Sequence, residues 1–197
     1  MRILLILALG AALFSPNFMH RMWPQSGATE AKATPLILEN NEGELRERRP
    51  RKEAMASARF FIKVDRRNGG SRQMWMGAED IPPGGSIPKH KHLGQDEILL
   101  LETGSAHAWL GTQERDVHAG ATIFIPSDTW VSLKNNGTET ARLVFVFSAP
   151  GYDEFMRCTS VPAGAAITAP VDEKKFVDCE HKGHVEFADT PGGAAAH

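Results

Sequence analysis

Between residues 56 and 150, short apolar segments alternate with turns that are rich in Gly, Pro and Asn. These segments have the length and the β-branched and aromatic content of strands, and they show almost no helical periodicity. The predicted strands cover residues 59–65, 73–79, a segment around 90–92, and residues 98–103, 105–110, 114–118, 122–125, 130–134 and 141–148. Short strands at this spacing predict an all-β fold, a small antiparallel β-barrel or jelly roll over residues 56–150.

The start of the chain has the pattern of an export signal. Arg2 is followed by an apolar run over residues 3–14, which suits a signal peptide and falls short of the roughly 20 residues that span a bilayer. We therefore expect residues 1–33 to be a signal peptide or disordered leader, and the protein to be periplasmic or secreted. An uncleaved anchor, or a misassigned start codon in a cytoplasmic protein, is the alternative.

Two further segments flank the predicted barrel. Residues 34–55 are polar and of mixed charge, and they predict an N-terminal arm with one short strand at 35–38. This arm either packs across a barrel edge or a partner subunit, or is a solvated linker. Residues 151–197 predict a C-terminal extension with a helical turn at 152–157, a loop over 158–170, a weak helix over 171–184 and a disordered tail.

Composition bounds the possible partners. With 197 residues, 42% hydrophobic and 23% charged, the chain is typical of one soluble domain with extensions. A net charge of −2 gives no basic stripe, so nucleic acid is not an expected partner.

Two histidines and one carboxylate have the spacing of metal ligands. His90 and His92 are two residues apart, so both imidazoles project from one face of a strand, and Glu97 follows closely. Such donors suit a divalent ion of Fe, Mn, Zn, Ni or Cu, and three ligands leave positions open for water, oxygen or substrate. His90, His92 and Glu97 are therefore the predicted metal ligands, and Glu97 is the candidate catalytic residue as a proton acceptor.

The same residues carry a family resemblance. Residues 84–104 resemble the first cupin motif, G-x5-H-x-H-x(3,4)-E-x6-G, at Gly84, His90, His92, Glu97 and Gly104. Residues 120–136 resemble the second motif, G-x5-P-x-G-x2-H-x3-N, at Gly120, Pro126 and Asn135. Asp128 stands in the place of a glycine, and Val131 in the place of the histidine that is the fourth ligand. The resemblance implies a β-barrel with an interior metal, a small-molecule ligand or substrate, and a homodimer.

The departure at Val131 leaves the ligand set open. With three ligands, the metal either gains one more position for an exchangeable ligand or is bound more weakly. The alternative is a barrel in which the motif serves folding alone and metal binding is weak or adventitious. Replacement ligands could come from Gln95, His107 or His118. Asp128 is either a turn residue or a rim group that meets a polar substrate.

Apolar and aromatic side chains are candidates for the walls of the barrel interior, although core packing is the favoured role for each. They are Trp75 with Gln73 on one face of a strand, Met74 and Met76 on the other face, and Phe124, Trp130, Phe145 and Phe147.

Cys158 and Cys179 are the only cysteines in the chain. In an exported protein they can form a disulfide. Free thiols, or a second metal cluster of Cys179 with His181 and His184, are the alternatives.

Function is less constrained than fold, because one fold hosts many activities. The first hypothesis is a metal-dependent dioxygenase-like oxidoreductase that acts on a small organic substrate. The second is an isomerase or lyase that uses the metal as a Lewis acid. The third is a non-catalytic module that binds metal or a small ligand, which the loss of the fourth histidine favours.

Overall fold

The computed structural model describes residues 33–51 and 59–189, and these residues contain twelve strands and two helices. The strands are β1 (Glu44–Arg48), β2 (Arg59–Val64), β3 (Trp75–Ile81), β4 (Ser86–His92), β5 (Glu97–Thr103), β6 (Ser105–Leu110), β7 (Gln113–His118), β8 (Thr122–Ile125), β9 (Val131–Lys134), β10 (Ala141–Phe147), β11 (Ser160–Pro162) and β12 (Val185–Phe187). The helices are α1 (Tyr152–Cys158) and α2 (Glu173–Gly183). The strands predicted between residues 59 and 148 all form, with ends that shift by at most two residues except in β4, which extends from the segment predicted around 90–92 back to Ser86.

The strands form two antiparallel sheets. The larger sheet has the order β11-β1-β2-β3-β10-β5-β8, and the smaller has the order β12-β4-β9-β6-β7. Strands β11 and β8 end the larger sheet and β12 and β7 end the smaller one, and no described strand pairs with their outer edges. The predicted all-β jelly roll is therefore confirmed, as two sheets that backbone pairing does not close into a continuous barrel.

The core lies between the sheets because side chains alternate along each strand. Along β5, Leu99 and Leu101 are buried, whereas Ile98 and Leu100 are exposed on the outer face. Within the core, Trp75 stacks on Phe147 with ring centroids 4.6 Å apart. Burial of each such apolar side chain contributes about 2 kcal/mol, which makes this interior the main source of stability.

The N-terminal arm packs against the larger sheet, but its predicted strand is wrong. Residues 35–38 form no strand, and β1 forms instead over ELRER, paired with β2 and β11. Polar side-chain contacts replace apolar alternation in β1: Arg48 forms an ion pair with Glu79, and buried Arg46 donates to the Ser160 hydroxyl at 2.7 Å. A strand that is held by such contacts has no hydrophobic pattern to detect.

The C-terminal extension closes one side of the barrel. Helix α1 forms where a helical turn was predicted, while the predicted loop over 158–170 contains β11, which adds to the edge of the larger sheet. Asp172 caps the start of helix α2, because its side chain accepts from the Lys175 backbone N–H. Strand β12 follows α2 and pairs with β4. A Cys158–Cys179 disulfide joins the two helices. Of the three alternatives for the cysteines, the disulfide is confirmed, and it leaves Cys179 unable to join a metal cluster with His181 and His184.

The predicted leader lies outside the described residues, apart from Ala33, and so does the predicted tail after residue 189. Among the helices of the described ranges, none is long and apolar enough to cross a membrane.

Candidate metal site

The two predicted histidine ligands lie side by side inside the barrel. Strand β4 turns His90 and His92 inward and Lys89 and Lys91 outward, as its alternation predicts. The histidines are 4% and 1% exposed. Glu97, the first residue of β5, is 5% exposed and completes the inward-facing group. The fold therefore brings together all three residues that were predicted as ligands.

A hydrogen bond fixes the tautomer of the His90 imidazole. His90 Nδ1 lies 2.8 Å from the Pro88 carbonyl oxygen, and because a carbonyl can only accept, this nitrogen carries the proton. The Nε2 atom of His90 is thereby left with a lone pair. A bond of this kind, from the outer nitrogen to a carbonyl, is how proteins orient a histidine that binds metal.

The donor atoms are close together. His90 Nε2 and His92 Nε2 are 3.2 Å apart, and His92 Nε2 is 3.3 Å from Glu97 Oε2. Neighbouring ligands at about 2.1 Å from one ion and at right angles to each other are about 3.0 Å apart, so these pairs have nearly that spacing. His92 Nδ1 is buried and has no hydrogen-bond partner in the described part of the chain.

Burial sets the charges of this group. It lowers the pKa of His90 to about 4, with a smaller effect from His92, and the pKa of His92 to about 3. Burial also raises the pKa of Glu97 to about 7, opposed by His90 and assisted by the carboxylate of Glu79. At neutral pH the site therefore holds two neutral imidazoles and a carboxyl group that is near its midpoint of ionisation, which suits cation binding.

Three polar residues that the sequence analysis missed lie beside this group. Glu79 and Tyr152 line one small interior cavity together with His90 and Glu97. Arg48 donates to Glu79 Oε2 at 2.7 Å, and it lowers the pKa of Tyr152, which burial raises strongly. Each comes from a separate element, β1, β3 or α1, so no local spacing could have revealed them.

The cavity is small, and the C-terminal extension covers the histidines beside it on one side. Its volume is about 30 Å³, enough for about two water molecules. Phe187 of β12 stacks on His90 at 5.3 Å, and the Tyr152 ring lies 4.5 Å from that of His92. The Glu180 carboxylate accepts from the Phe187 backbone N–H at 2.9 Å and helps to fix β12 in place. We call β12, α1 and α2 together the cap.

The chemistry of the donors fits a divalent ion, although the side chains are not fully arranged around one. Across residues 33–51 and 59–189, no three His, Cys, Asp or Glu side chains form a ready-made metal site. The two donor pairs that involve His92 have suitable spacing. A formed site would require all three donors to surround one point, and here they do not.

Comparison with known proteins decides the family. Residues 77–147 match the family model described as the cupin domain. These residues form a cupin domain. No curated protein sequence matches the chain.

One of the solved structures that are similar to this chain has a TM-score above 0.5. A predicted oxalate decarboxylase from Thermotoga maritima is 18% identical, with a TM-score of 0.52 over 58% of this chain and 99% of that protein. KdgF from a Halomonas species is 15% identical, with a TM-score of 0.48 over 60% of this chain and 98% of the other. The cupin domain of Schizosaccharomyces pombe Cnp3 is 15% identical, with a TM-score of 0.43, and the match covers 47% of this chain and 64% of that one, less than two thirds.

The second cupin motif has a structural role at the positions that fit. Asn135 is fully buried, donates to the carbonyls of Ile81 and Glu139, and accepts from the Gly137 backbone N–H. Asp128, where the cupin motif has glycine, has a φ of 62°. That left-handed conformation explains the glycine of the motif and makes Asp128 a turn residue, since Asp tolerates it better than most residues do.

Val131 occupies the position of the missing cupin ligand. It is 1% exposed, pairs with His90 across β4 and β9, and lines the cavity. None of the three suggested replacements joins the site. Gln95 accepts from the Tyr152 backbone N–H and donates to the Gly183 carbonyl, His107 Nδ1 bonds to Asp116 on the outer surface, and His118 is exposed.

Several predicted wall residues of the cupin barrel lie elsewhere. Trp75, Phe145 and Phe147 are buried in the core, as favoured. Phe124 is 56% exposed because its neighbours Ile123 and Ile125 take the inward positions of β8. Gln73 and Met74 precede β3 and are exposed, Met76 is half-buried, and Trp130 lies in an outer groove.

Proposed function

We propose that this cupin binds one divalent metal ion through His90, His92 and Glu97. The observation that carries the proposal is the burial of two neutral imidazoles and one carboxyl group with donor atoms 3.2 and 3.3 Å apart. When bound, the ion supplies a positive charge and open coordination positions for a small ligand. The candidate ions remain Fe, Mn, Zn, Ni and Cu, since imidazole and carboxylate donors suit each of them.

The protein's own groups would prepare the site in three ways. Pro88 holds the His90 imidazole in the tautomer that presents Nε2. Glu97 releases its proton when a cation binds, because the cation stabilises the carboxylate that burial disfavours. Arg48 neutralises Glu79, so the cavity does not hold two unpaired carboxylates.

The small volume of the cavity favours metal or small-ligand binding over turnover of an organic substrate. A volume of about 30 Å³ admits ligands of the size of water or dioxygen. Phe187 and Tyr152 cover the histidines on the cap side. The proposed function is therefore that of a metal-binding cupin.

A dioxygenase-like oxidoreductase is the second candidate. It is favoured by one observation, the presence of Glu79 and Tyr152 in the same cavity as His90 and Glu97. Such groups could orient a polar substrate and hold or accept a proton, with Glu97 as the acceptor. This activity requires displacement of the cap, because no organic substrate fits beside the histidines otherwise.

We also propose that the protein is exported. The Cys158–Cys179 disulfide supports this location, because disulfides persist mainly in oxidising compartments. Sequencing the mature N-terminus tests the proposal, and a cytoplasmic protein that begins at Met1 would overturn it.

Metal analysis of the untagged protein tests the main proposal. We expect about one ion per chain in the wild type after incubation with each candidate metal and removal of excess, and less than about a tenth of that in His92→Ala and Glu97→Gln. Glu139→Gln, which removes an exposed carboxylate, is the matched control and should keep its metal. Equal metal content in Glu97→Gln and the wild type would refute the assignment.

A further inference from the structure

A groove on the outer face of the smaller sheet carries two tryptophans and has no role in the metal site. Its volume is about 360 Å³, and its lining includes Lys89, Trp109, Trp130 and Ser132. A groove of this size is within the range of small-molecule sites. The sheet separates it from the barrel interior, because Lys89 points outward while His90, the next residue, points inward.

Strand alternation and a backbone hydrogen bond position the two indoles in the groove. Trp109 points out of β6 because its neighbour Ala108 is buried, and it is 38% exposed. Trp130 is half-buried just before β9, and its carbonyl accepts from the Gly111 backbone N–H at 2.8 Å. This bond ties the end of β6 to the start of β9 and brings the two indoles to one groove. Paired aromatic surfaces with polar neighbours are suited to stack on the face of a ligand ring.

The end of the groove at β4 is positively charged. The Lys89 and Lys91 ammonium groups lie 5.6 and 5.1 Å from the centroid of the Trp130 ring. Lys91 is paired with Glu186 at 3.1 Å, whereas Lys89 forms no ion pair with any residue of the described ranges. An anionic group of a ligand would therefore be held beside Trp130.

Acidic side chains lie beside the groove, outside its lining, next to Trp109. Glu114 lies across from Trp109 in the β6–β7 register and is exposed. Asp116 accepts a bond from His107 Nδ1 at 2.8 Å, and the His107 ring packs on Trp109 at 4.3 Å. Ionised carboxylates only accept hydrogen bonds, so a ligand that extends past Trp109 with hydroxyl groups would find acceptors there.

We propose that this groove binds an acidic saccharide. The sugar rings stack on Trp109 and Trp130, a carboxylate pairs with Lys89, and hydroxyl groups donate to Ser132 in the groove and to Glu114 beside it. An acidic saccharide has the apolar ring face, the carboxylate and the hydroxyl groups that these residues would contact.

Calorimetric titration of the full chain with defined saccharides, in the presence of EDTA, tests the proposal. The probes are the trimers of galacturonate and of mannuronate, with maltotriose as the neutral trimer and 4-hydroxybenzoate as an aromatic acid without a sugar ring. We expect at least one acidic trimer to bind with a dissociation constant below about 1 mM, and maltotriose to bind at least about fivefold more weakly.

Substitutions test whether saccharide binding depends on the groove residues. Trp109→Ala and Trp130→Ala should each weaken binding by about tenfold, and Lys89→Gln by about fivefold. Lys174→Gln, on the exposed side of α2, is the matched control for charge and should bind like the wild type. Lys89→Gln removes only a surface charge, so it keeps the test valid if a tryptophan variant fails to fold.

The outcomes are decisive in both directions. Absence of binding by both acidic trimers, equal binding in Lys89→Gln and the wild type, or tighter binding of 4-hydroxybenzoate would each overturn the proposal. Unchanged saccharide affinity in His90→Ala would show that the groove acts apart from the metal site, so failure of one proposal does not imply failure of the other.

Discussion

Replacing Glu97 with glutamine should change the pH dependence of stability in a defined direction. In the folded protein burial raises the pKa of Glu97 to about 7, whereas its ordinary value is 4.5. Between these two values the folded chain keeps a proton that the unfolded chain has lost. Raising the pH through this window therefore lowers the free energy of unfolding of the wild type, and the stability present below pH 4.5 is lost by about pH 7. The side-chain amide of the Glu97→Gln variant is neutral throughout and should not contribute this loss.

The size of the effect follows from the two pKa values. The interval from 4.5 to about 7, at 1.36 kcal/mol per pH unit, corresponds to about 3 kcal/mol. His90 and His92 act in the opposite sense, because their lowered pKa values make both proteins less stable as the pH falls below 6.5. The histidines are common to both proteins, so their contribution largely cancels in the difference between variant and wild type. The Glu97→Gln variant should therefore gain about 3 kcal/mol relative to the wild type between pH 4.5 and pH 8.

Urea unfolding in EDTA, followed by tryptophan fluorescence at several pH values between about 4.5 and 8, measures this difference. The exposed Glu139→Gln variant should follow the wild-type profile. Profiles of Glu97→Gln and wild type that stay parallel within about 0.5 kcal/mol would refute the reasoning, because they would mean that Glu97 has the same pKa in the folded and unfolded chains.

The remaining predictions concern three other parts of the fold. Asn135→Ala should lower the free energy of unfolding by about 2–4 kcal/mol in urea titrations, because the buried Asn135 amide makes three hydrogen bonds to the backbone. The control Asn136→Ala, at an exposed position, should lower it by less than about 0.5 kcal/mol. Equal losses in the two variants would contradict the structural role of Asn135. Replacing both Cys158 and Cys179 with Ser should cost about 3 kcal/mol, because the bond closes a loop with a sequence separation of 21, and an unchanged urea midpoint would argue against the disulfide. Val131→His should tighten metal binding by at least about tenfold in competition titrations and lower metal-free stability by about 1–3 kcal/mol through overpacking; unchanged affinity would place the ion away from this position.

Local patterns predicted the histidine site because its geometry is local. His90 and His92 share one strand, and a period of two residues places their side chains on the same face whatever the rest of the fold does. Glu97 begins the next strand of the chain, so its proximity also follows from short-range connectivity. Core packing, the role favoured for Trp75 and Phe147, is also confirmed.

The same reasoning failed where neighbouring residues did not alternate between apolar and polar. Strand β8 has the sequence TIFI, and three adjacent apolar residues do not reveal which of them faces the core. Only the pairing of β8 with β5 turns Ile123 and Ile125 inward and leaves Phe124 exposed. Strand β1 was missed for a related reason, since its arginines are buried by partners more than 30 residues away in the sequence, Glu79 and Ser160.

The sequence by itself determined the all-β architecture, the strands between residues 59 and 148 and the inward-facing pair of histidines, because these depend on alternation and turns within a few residues. Tertiary structure decided what surrounds that pair. The pairing of β12 with β4 places Phe187 over His90, and helix α1 brings Tyr152 against His92, so a barrel mouth that could have been open is closed. Sheet register likewise sets Glu79 in the cavity and the two tryptophans in one outer groove. Contacts between distant segments have no local signature, since they arise only when packing of the whole chain brings those segments together.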